Sequence, residues 1–302
     1  MSSSVSLEVR TRLRDLSGVV TCLDRELERL AGTGEIGTVS LSGVGRSAML
    51  GAGLALESDD FLFGTARDLP AALARGVSLD SAFSQILSQA GDPSLGRGLP
   101  GAYNQLEART ALSDGNVGSH LVHACGYGLA ARLRGAPSVA LGLFGNAAQS
   151  NGEIHGALNF AGVYEAQVIF VARGRLGDAV PFEEAAKAWG IPVETVPGDS
   201  AVAVYEAVLR ARGRAISGDG PTIVDARLSG DWTPRDAEIL QGLLGHDGGE
   251  TETVRNERYH NEVHRAIRAA QEGGSVPEET MLQGLFTGPF AQGTEIRGGH
   301  GP

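Results

Sequence analysis

Gly145-Asn146-Ala147-Ala148-Gln149-Ser150-Asn151-Gly152-Glu153-Ile154-His155-Gly156-Ala157-Leu158-Asn159-Phe160 follows an apolar run, residues 139–144, and leads into a helical pattern. The run is apolar at nearly every position rather than alternating, so it reads as a buried parallel strand. A strand, a glycine turn and a helix N-terminus in succession suit an anion, because free backbone N–H groups and the helix dipole point the same way. Three more apolar runs lie further on, at 168–171, 193–196 and 223–226, with helical patterns at 182–189 and 201–214 between them. That alternation predicts an α/β fold with a mostly parallel sheet and helices on both faces. Ligands in such sheets bind at the carboxyl ends of the strands. Gly145 and the segment Arg173-Gly174-Arg175 both fall there.

Before this unit the pattern is helical. Val9, Leu13, Leu16, Val20, Leu23, Leu27 and Leu30 recur in steps of four and three, until Gly32 and Gly34 stop the helix. Such a stripe suits pairing with another chain or packing on the parent domain. The second reading is preferred, since most such stripes face their own core. Residues 47–56, 69–75, 79–89 and 118–133 read as further helices, 91–101 as a Gly/Pro loop, and 256–271 as a last helix. Residues 275–302 are rich in Gly and Pro, and their end is expected to be disordered. The chain thus divides into a helical N-terminal arm (1–34), an α/β domain (35–230) and a C-terminal helical extension (231–302).

The 302 residues are 42% apolar and 20% charged, with a net charge of −11. The chain is long enough for one large core. Its acidic balance argues against nucleic acid and anionic membranes as partners. Cys22 and Cys125 sit in apolar patterns far apart, and read as reduced core thiols of a cytoplasmic protein. No signal pattern and no membrane-length apolar run is expected to interrupt this picture. His120 and His123 stand at i, i+3 on a helix without a carboxylate to complete a metal set, so they read as core or surface histidines. His155 reads as structural. Asp178, Glu183 and Glu184 suit the solvated start of a helix.

From about Gly34 to Arg227 the chain resembles the alpha subunit of the thiamine-diphosphate-dependent 2-oxo acid dehydrogenases, the decarboxylating component of the pyruvate and branched-chain complexes. Asp59-Asp60-Phe61-Leu62-Phe63-Gly64-Thr65-Ala66-Arg67-Asp68 is similar to the family's Asp-Trp-x-Phe-Pro-x-Tyr-Arg-Asp segment. Gly115-Asn116-Val117-Gly118 resembles its Gly-Ile-Val-Gly, and Gly156-Ala157-Leu158-Asn159-Phe160-Ala161 its Glu-Ala-Leu-Asn-Phe-Ala. Gly218-Asp219-Gly220-Pro221-Thr222-Ile223-Val224 resembles its Gly-x-Gly-Pro-Thr-Leu-Ile strand. The order of the matches implies the thiamine-diphosphate-binding fold. It also implies thiamine diphosphate as cofactor, held by Arg67, Gly115, Val117, Gly145, Asn146, Ala147, Ala148 and Arg175.

The departures oppose that cofactor. Where the family places a metal-binding Asp and Asn, this chain has Asn146 and Arg175. Magnesium takes oxygen ligands, usually with a carboxylate among them, and a guanidinium offers no lone pair. The family's Tyr-Arg pair is Ala66-Arg67, and the His that follows it is Leu69. The Glu of its Gly-Gln-Glu-Ala turn aligns with Arg46, its first cofactor-side His with Ser40, and its late His falls near Ser229 to Asp231, where there is none. Magnesium is therefore not expected, and no residue is assigned a catalytic role. These features imply an alpha-type subunit that kept the fold and lost the chemistry, paired with a beta-type subunit or an intact alpha paralogue as a hetero- or homo-oligomer. The competing readings are an active thiamine-diphosphate enzyme with a metal-free diphosphate site, and a binding module for another phosphorylated ligand.

Overall fold

The computed structural model describes residues 5–36, 45–113, 116–175, 182–229 and 250–282. The expectations for Ser40, Gly115, Asp178 and Asp231, and for the end of the C-terminal segment, lie outside these residues. Helices α1 (Leu7–Gly32), α2 (Arg46–Leu54), α3 (Leu69–Ala74) and α4 (Leu79–Ile86) open the chain. Helices α5 (Ser119–Arg134), α6 (Gly152–Val163), α7 (Phe182–Ala185), α8 (Ala201–Ile216) and α9 (Glu252–Glu272) follow. The strands are β1 (Phe61–Thr65), β2 (Asn104–Gln105), β3 (Thr110–Ser113), β4 (Ala140–Gly145), β5 (Val168–Arg175), β6 (Val193–Pro197) and β7 (Thr222–Leu228). They form one sheet in the order β2-β3-β1-β4-β5-β7-β6. Every pairing is parallel except β2 with β3.

The mostly parallel α/β sheet expected from the apolar runs is therefore present. Side chains alternate across it, as a pleated strand requires. On β5, Ile169 and Val171 enter one hydrophobic cluster while Val168, Phe170 and Ala172 enter the other. The first cluster joins the sheet to α1, α2, α4, α8 and α9; the second joins it to α5, α6 and α7. Gly142 of β4 shows how close the second layer comes: a Cβ there would lie 2.6 Å from Leu121 Cδ2 of α5. Helix α1 packs on this same body. Leu13, Val20, Leu23, Leu27 and Leu30 share the first cluster with Tyr259, Val263, Ala266 and Ile267 of α9.

Three differences from the sequence reading are local. β1, β2 and β3 were not recognised as strands. β5 runs to Arg175, so Arg173 and Arg175 stand in the sheet, paired with Ala226 and Leu228, rather than in a loop. The helix expected at 79–89 ends at Ile86, before Ser88 turns to a positive φ of 52°.

β1 is held at its start by Asp60, which is fully buried. Its carboxylate accepts from Glu57 N at 2.7 Å and Val139 N at 2.9 Å, and pairs with Arg212 Nε at 2.7 Å. Arg212 also reaches Glu57 and the Pro137 carbonyl. This one group aligns β1, β4 and α8. Removing one partner of a buried charge leaves the other uncompensated. Asp60→Ala should therefore cost about 3–5 kcal/mol in urea denaturation, whereas Asp59→Ala, at the exposed neighbour, should stay within about 0.5 kcal/mol.

Candidate functional site

The carboxyl ends of β1, β4 and β5 lie side by side, and the turns that follow them carry the expected residues. After β1, a single 3-10 turn, Ala66–Asp68, places Arg67 outward and Asp68 inward. Arg67 is exposed and makes no hydrogen bond or ion pair with another described residue. Asp68 is fully buried. Its Oδ2 accepts from Thr65 N at 2.7 Å and Thr65 Oγ1 at 3.1 Å, closing the turn. Its Oδ1 lies 2.6 Å from Arg173 Nη2 of β5.

Arg173 is itself buried. β4 stands between β1 and β5, so this ion pair spans the end of the strand that was expected to present an anion turn. The pair is a charge contact rather than an aligned hydrogen bond, since neither Asp68 Oδ1 nor Arg173 Nε has a hydrogen-bonding partner among the described residues. Arg173, at the sheet's carboxyl edge, is committed to Asp68.

The turn after β4 also differs from a strand running directly into a helix. A 3-10 turn, Asn146–Ser150, intervenes before α6 begins at Gly152. It contains the backbone of Asn146 and Ala147, and Ala148, which is buried in the second cluster. Asn151 then caps α6, its Oδ1 accepting from Glu153 N at 2.9 Å. Its Nδ2 donates to the Val117 carbonyl at 2.6 Å. So the structure brings Val117 to the β4 turn, while Val117's side chain stays half exposed. Gly118, at φ 98°, starts α5 where a Cβ would lie 2.9 Å from Ile154 of α6. Gly145 pairs in the sheet with Arg173. These contacts unite Val117, Gly145 and Ala148 with the backbone of Asn146 and Ala147; Arg67 stands on the neighbouring turn, and Arg175 is placed only by its backbone on β5.

His120 completes the buried layer. Its Nε2 bonds the Leu143 carbonyl at 2.8 Å, and its Nδ1 has no partner among the described residues. Burial pushes its imidazole below the ordinary value; the Leu143 carbonyl and Asp68 oppose that, and Arg173 and His123 add to it. His123 is exposed, as is His155, whose Nε2 meets the Gln149 carbonyl at 2.8 Å. Cys125 is a buried thiol whose Sγ donates to the Ala157 carbonyl. Cys22 is only half buried. Arg46 is tied to Asp24 of α1 at 3.3 Å.

The dehydrogenase E1 component model matches residues 18–228. The chain belongs to that family. It is 31% identical over 204 residues to the 2-oxoisovalerate dehydrogenase subunit alpha of Bacillus subtilis, covering 64% of this chain and 62% of that protein. It is 30% identical over 213 residues to the pyruvate dehydrogenase E1 component subunit alpha of Staphylococcus epidermidis, covering 67% of this chain and 55% of that protein. The chain thus spans a little over half the length of these relatives. Among solved structures, a transketolase of Pichia stipitis superposes with a TM-score of 0.52 at 12% identity, covering 88% of this chain and 45% of that one. The E1 family accounts for the order of the motifs, and this superposition for the sheet.

The residues present do not fit the magnesium of an E1 diphosphate site. The turns after β1 and β4 contain one carboxylate, Asp68, and its oxygens serve Arg173 and Thr65. The position that would supply a metal-binding Asp is an amide. Donors for a diphosphate alone remain in Arg67 and the β4 turn.

Two outcomes follow from the buried layer. Arg173→Met should cost about 3–5 kcal/mol because it strands the Asp68 charge, and adding Asp68→Asn should restore part of that; a urea-denaturation double-mutant cycle measures both. The second concerns pH. Unfolded, His120 takes its proton near about pH 6.5, and folded it does so at lower pH. Above that window both states are neutral and the group contributes nothing. As pH falls into it the unfolded state gains the proton first, and stability declines. His120→Gln should flatten this part of the stability–pH curve.

Proposed function

We propose that this E1 family member is an alpha-type subunit of a 2-oxo acid dehydrogenase-like assembly whose cofactor site is degenerate, and that it serves as a structural or regulatory partner. The sequence observation that carries this reading is that Asn146 and Arg175 stand where the family's metal-binding Asp and Asn are expected. An amide brings no negative charge to a divalent ion, and a guanidinium about 4 Å from such an ion would repel it by about 4 kcal/mol per unit of ion charge, at an effective dielectric near 20. The neutral amide oxygen does not offset this.

The fold keeps what a partner would need. On α6, Phe160, Val163 and the adjoining Tyr164 are exposed, and Gly152 and Gly156 have open space beside them. On α5, Val122 is likewise exposed. An open strip of small and apolar residues fits a close helix contact with a beta-type subunit or an alpha paralogue. Among the described residues no helix is long and apolar enough to cross a membrane.

One feature favours a second reading, an active enzyme with a metal-free diphosphate site. Arg67 is exposed and unengaged among the described residues, and a guanidinium there is suited to a phosphate. Calorimetric titration together with a decarboxylation assay separates the two. On the degenerate reading thiamine diphosphate should bind the unmodified chain neither with nor without magnesium, alone or with its partner, whereas binding without magnesium accompanied by turnover would favour the second. Asn146→Asp combined with Arg175→Asn should introduce some metal-dependent binding, without turnover. Micromolar magnesium-dependent binding by the unmodified chain, or 2-oxo acid decarboxylation at a rate typical of an enzyme, would reject the degenerate reading.

A further inference from the structure

A second constellation lies far from the strand ends, between α1 and α9. His260 and His264 are four residues apart on α9 and therefore share a face. Their ring centroids are 4.0 Å apart. Glu26 of α1 faces them, with its Oε1 3.1 Å from His264 Nε2. One ligand atom from each of the three residues lies within 4.8 Å of the other two. Glu26 is nine-tenths buried, His264 is half-buried and His260 is exposed.

We propose that Glu26, His260 and His264 form a binding site for a transition-metal dication of the zinc type, which would clamp α9 to α1. Two imidazoles and one carboxylate are a ligand set that zinc takes at ~2.0–2.2 Å, with a fourth position left for water. Tetrahedral ligands at that distance stand roughly 3.3 Å apart. Glu26 and His264 already meet this spacing. His260 closes the set by a rotamer change, which its exposure permits.

The carboxylate is also prepared from behind. Glu26 Oε2 accepts from Arg29 Nε at 2.8 Å, leaving Oε1 for the ion, and such an outer partner orients a metal-binding carboxylate. Arg29 additionally reaches Glu35 at 3.3 Å, so its charge is shared away from the ion. His260 also lines a cavity of about 800 Å³ between the two helices, together with Cys22, which stands one turn before Glu26. Imidazole and carboxylate favour zinc, copper or nickel over magnesium or calcium.

Without a metal the same residues would form an ordinary Glu–His contact, so the test must read the ion itself. The full-length chain, stripped with a chelator, is dialysed against Zn²⁺ and separately against Co²⁺, whose visible spectrum reports tetrahedral coordination. The expected result is one ion per chain, with zinc raising the melting temperature. His260→Gln changes an exposed side chain and leaves the fold intact by circular dichroism. It should weaken binding by about 100-fold, at least what loss of an outer-shell partner costs. Glu26→Gln should do the same, while His123→Gln, exposed on α5, should not. Absence of zinc binding, binding unchanged by His260→Gln, or equal loss in His123→Gln would each overturn the assignment.

Discussion

The Asp68–Arg173 ion pair is the constraint around which the strand ends are arranged. Both side chains are almost wholly removed from water, so neither charge is tolerable without the other. Asp68 closes the turn after β1 through Thr65, and Arg173 belongs to β5, so the pair ties two strands across β4. His120 adds a neutral imidazole fixed to the β4 backbone. The space above β4 is thus defined by a compensated pair of charges and a buried imidazole. A carboxylate already neutralised by arginine has little left to offer a divalent ion.

Half of this was legible in the sequence. β4, β5, β6 and β7 announced themselves because strands buried on both faces have no polar side to interrupt the run, and Gly145 marked the carboxyl end of β4. β1 escaped notice for the opposite reason. Its five residues follow Asp59-Asp60, and acidic pairs read as loop, yet Asp60 is buried because Arg212 of α8, 152 positions away, neutralises it. Local pattern cannot reveal such a partner. Arg173 was visible as a charge near the sheet's edge, but not as one already spent on Asp68, since that depends on the strand order. The substitutions at Asn146 and Arg175 needed only the alignment of motifs, and the structure supplies the backbone on which they sit.

The same distinction separates the two histidine groups. His120 and His123 stand close enough on α5 to suggest a metal pair, but in the structure His120 is buried against the Leu143 carbonyl while His123 is exposed. His260 and His264 went unremarked, although His-x-x-x-His is the spacing that shares a helix face. The missing signal was the third member. Glu26 is 234 residues from His260, and only the packing of α1 on α9 brings it there. Tyr259 directs that packing: its ring covers Gly18, where a Cβ would lie 2.1 Å away, and its hydroxyl donates to Asp15 at 2.7 Å.

These observations give α1 a larger part than an amphipathic arm. Its apolar stripe completes one face of the sheet's core, Asp24 holds Arg46 at the start of α2, and Glu26 holds α9. Arg46 directs its charge at α1, where Thr21 Oγ1 accepts from its Nη1 at 3.2 Å and Asp24 pairs with it at 3.3 Å. An arginine at the start of α2 is compatible with the fold because Asp24 compensates it, and the pair fastens α2 against α1.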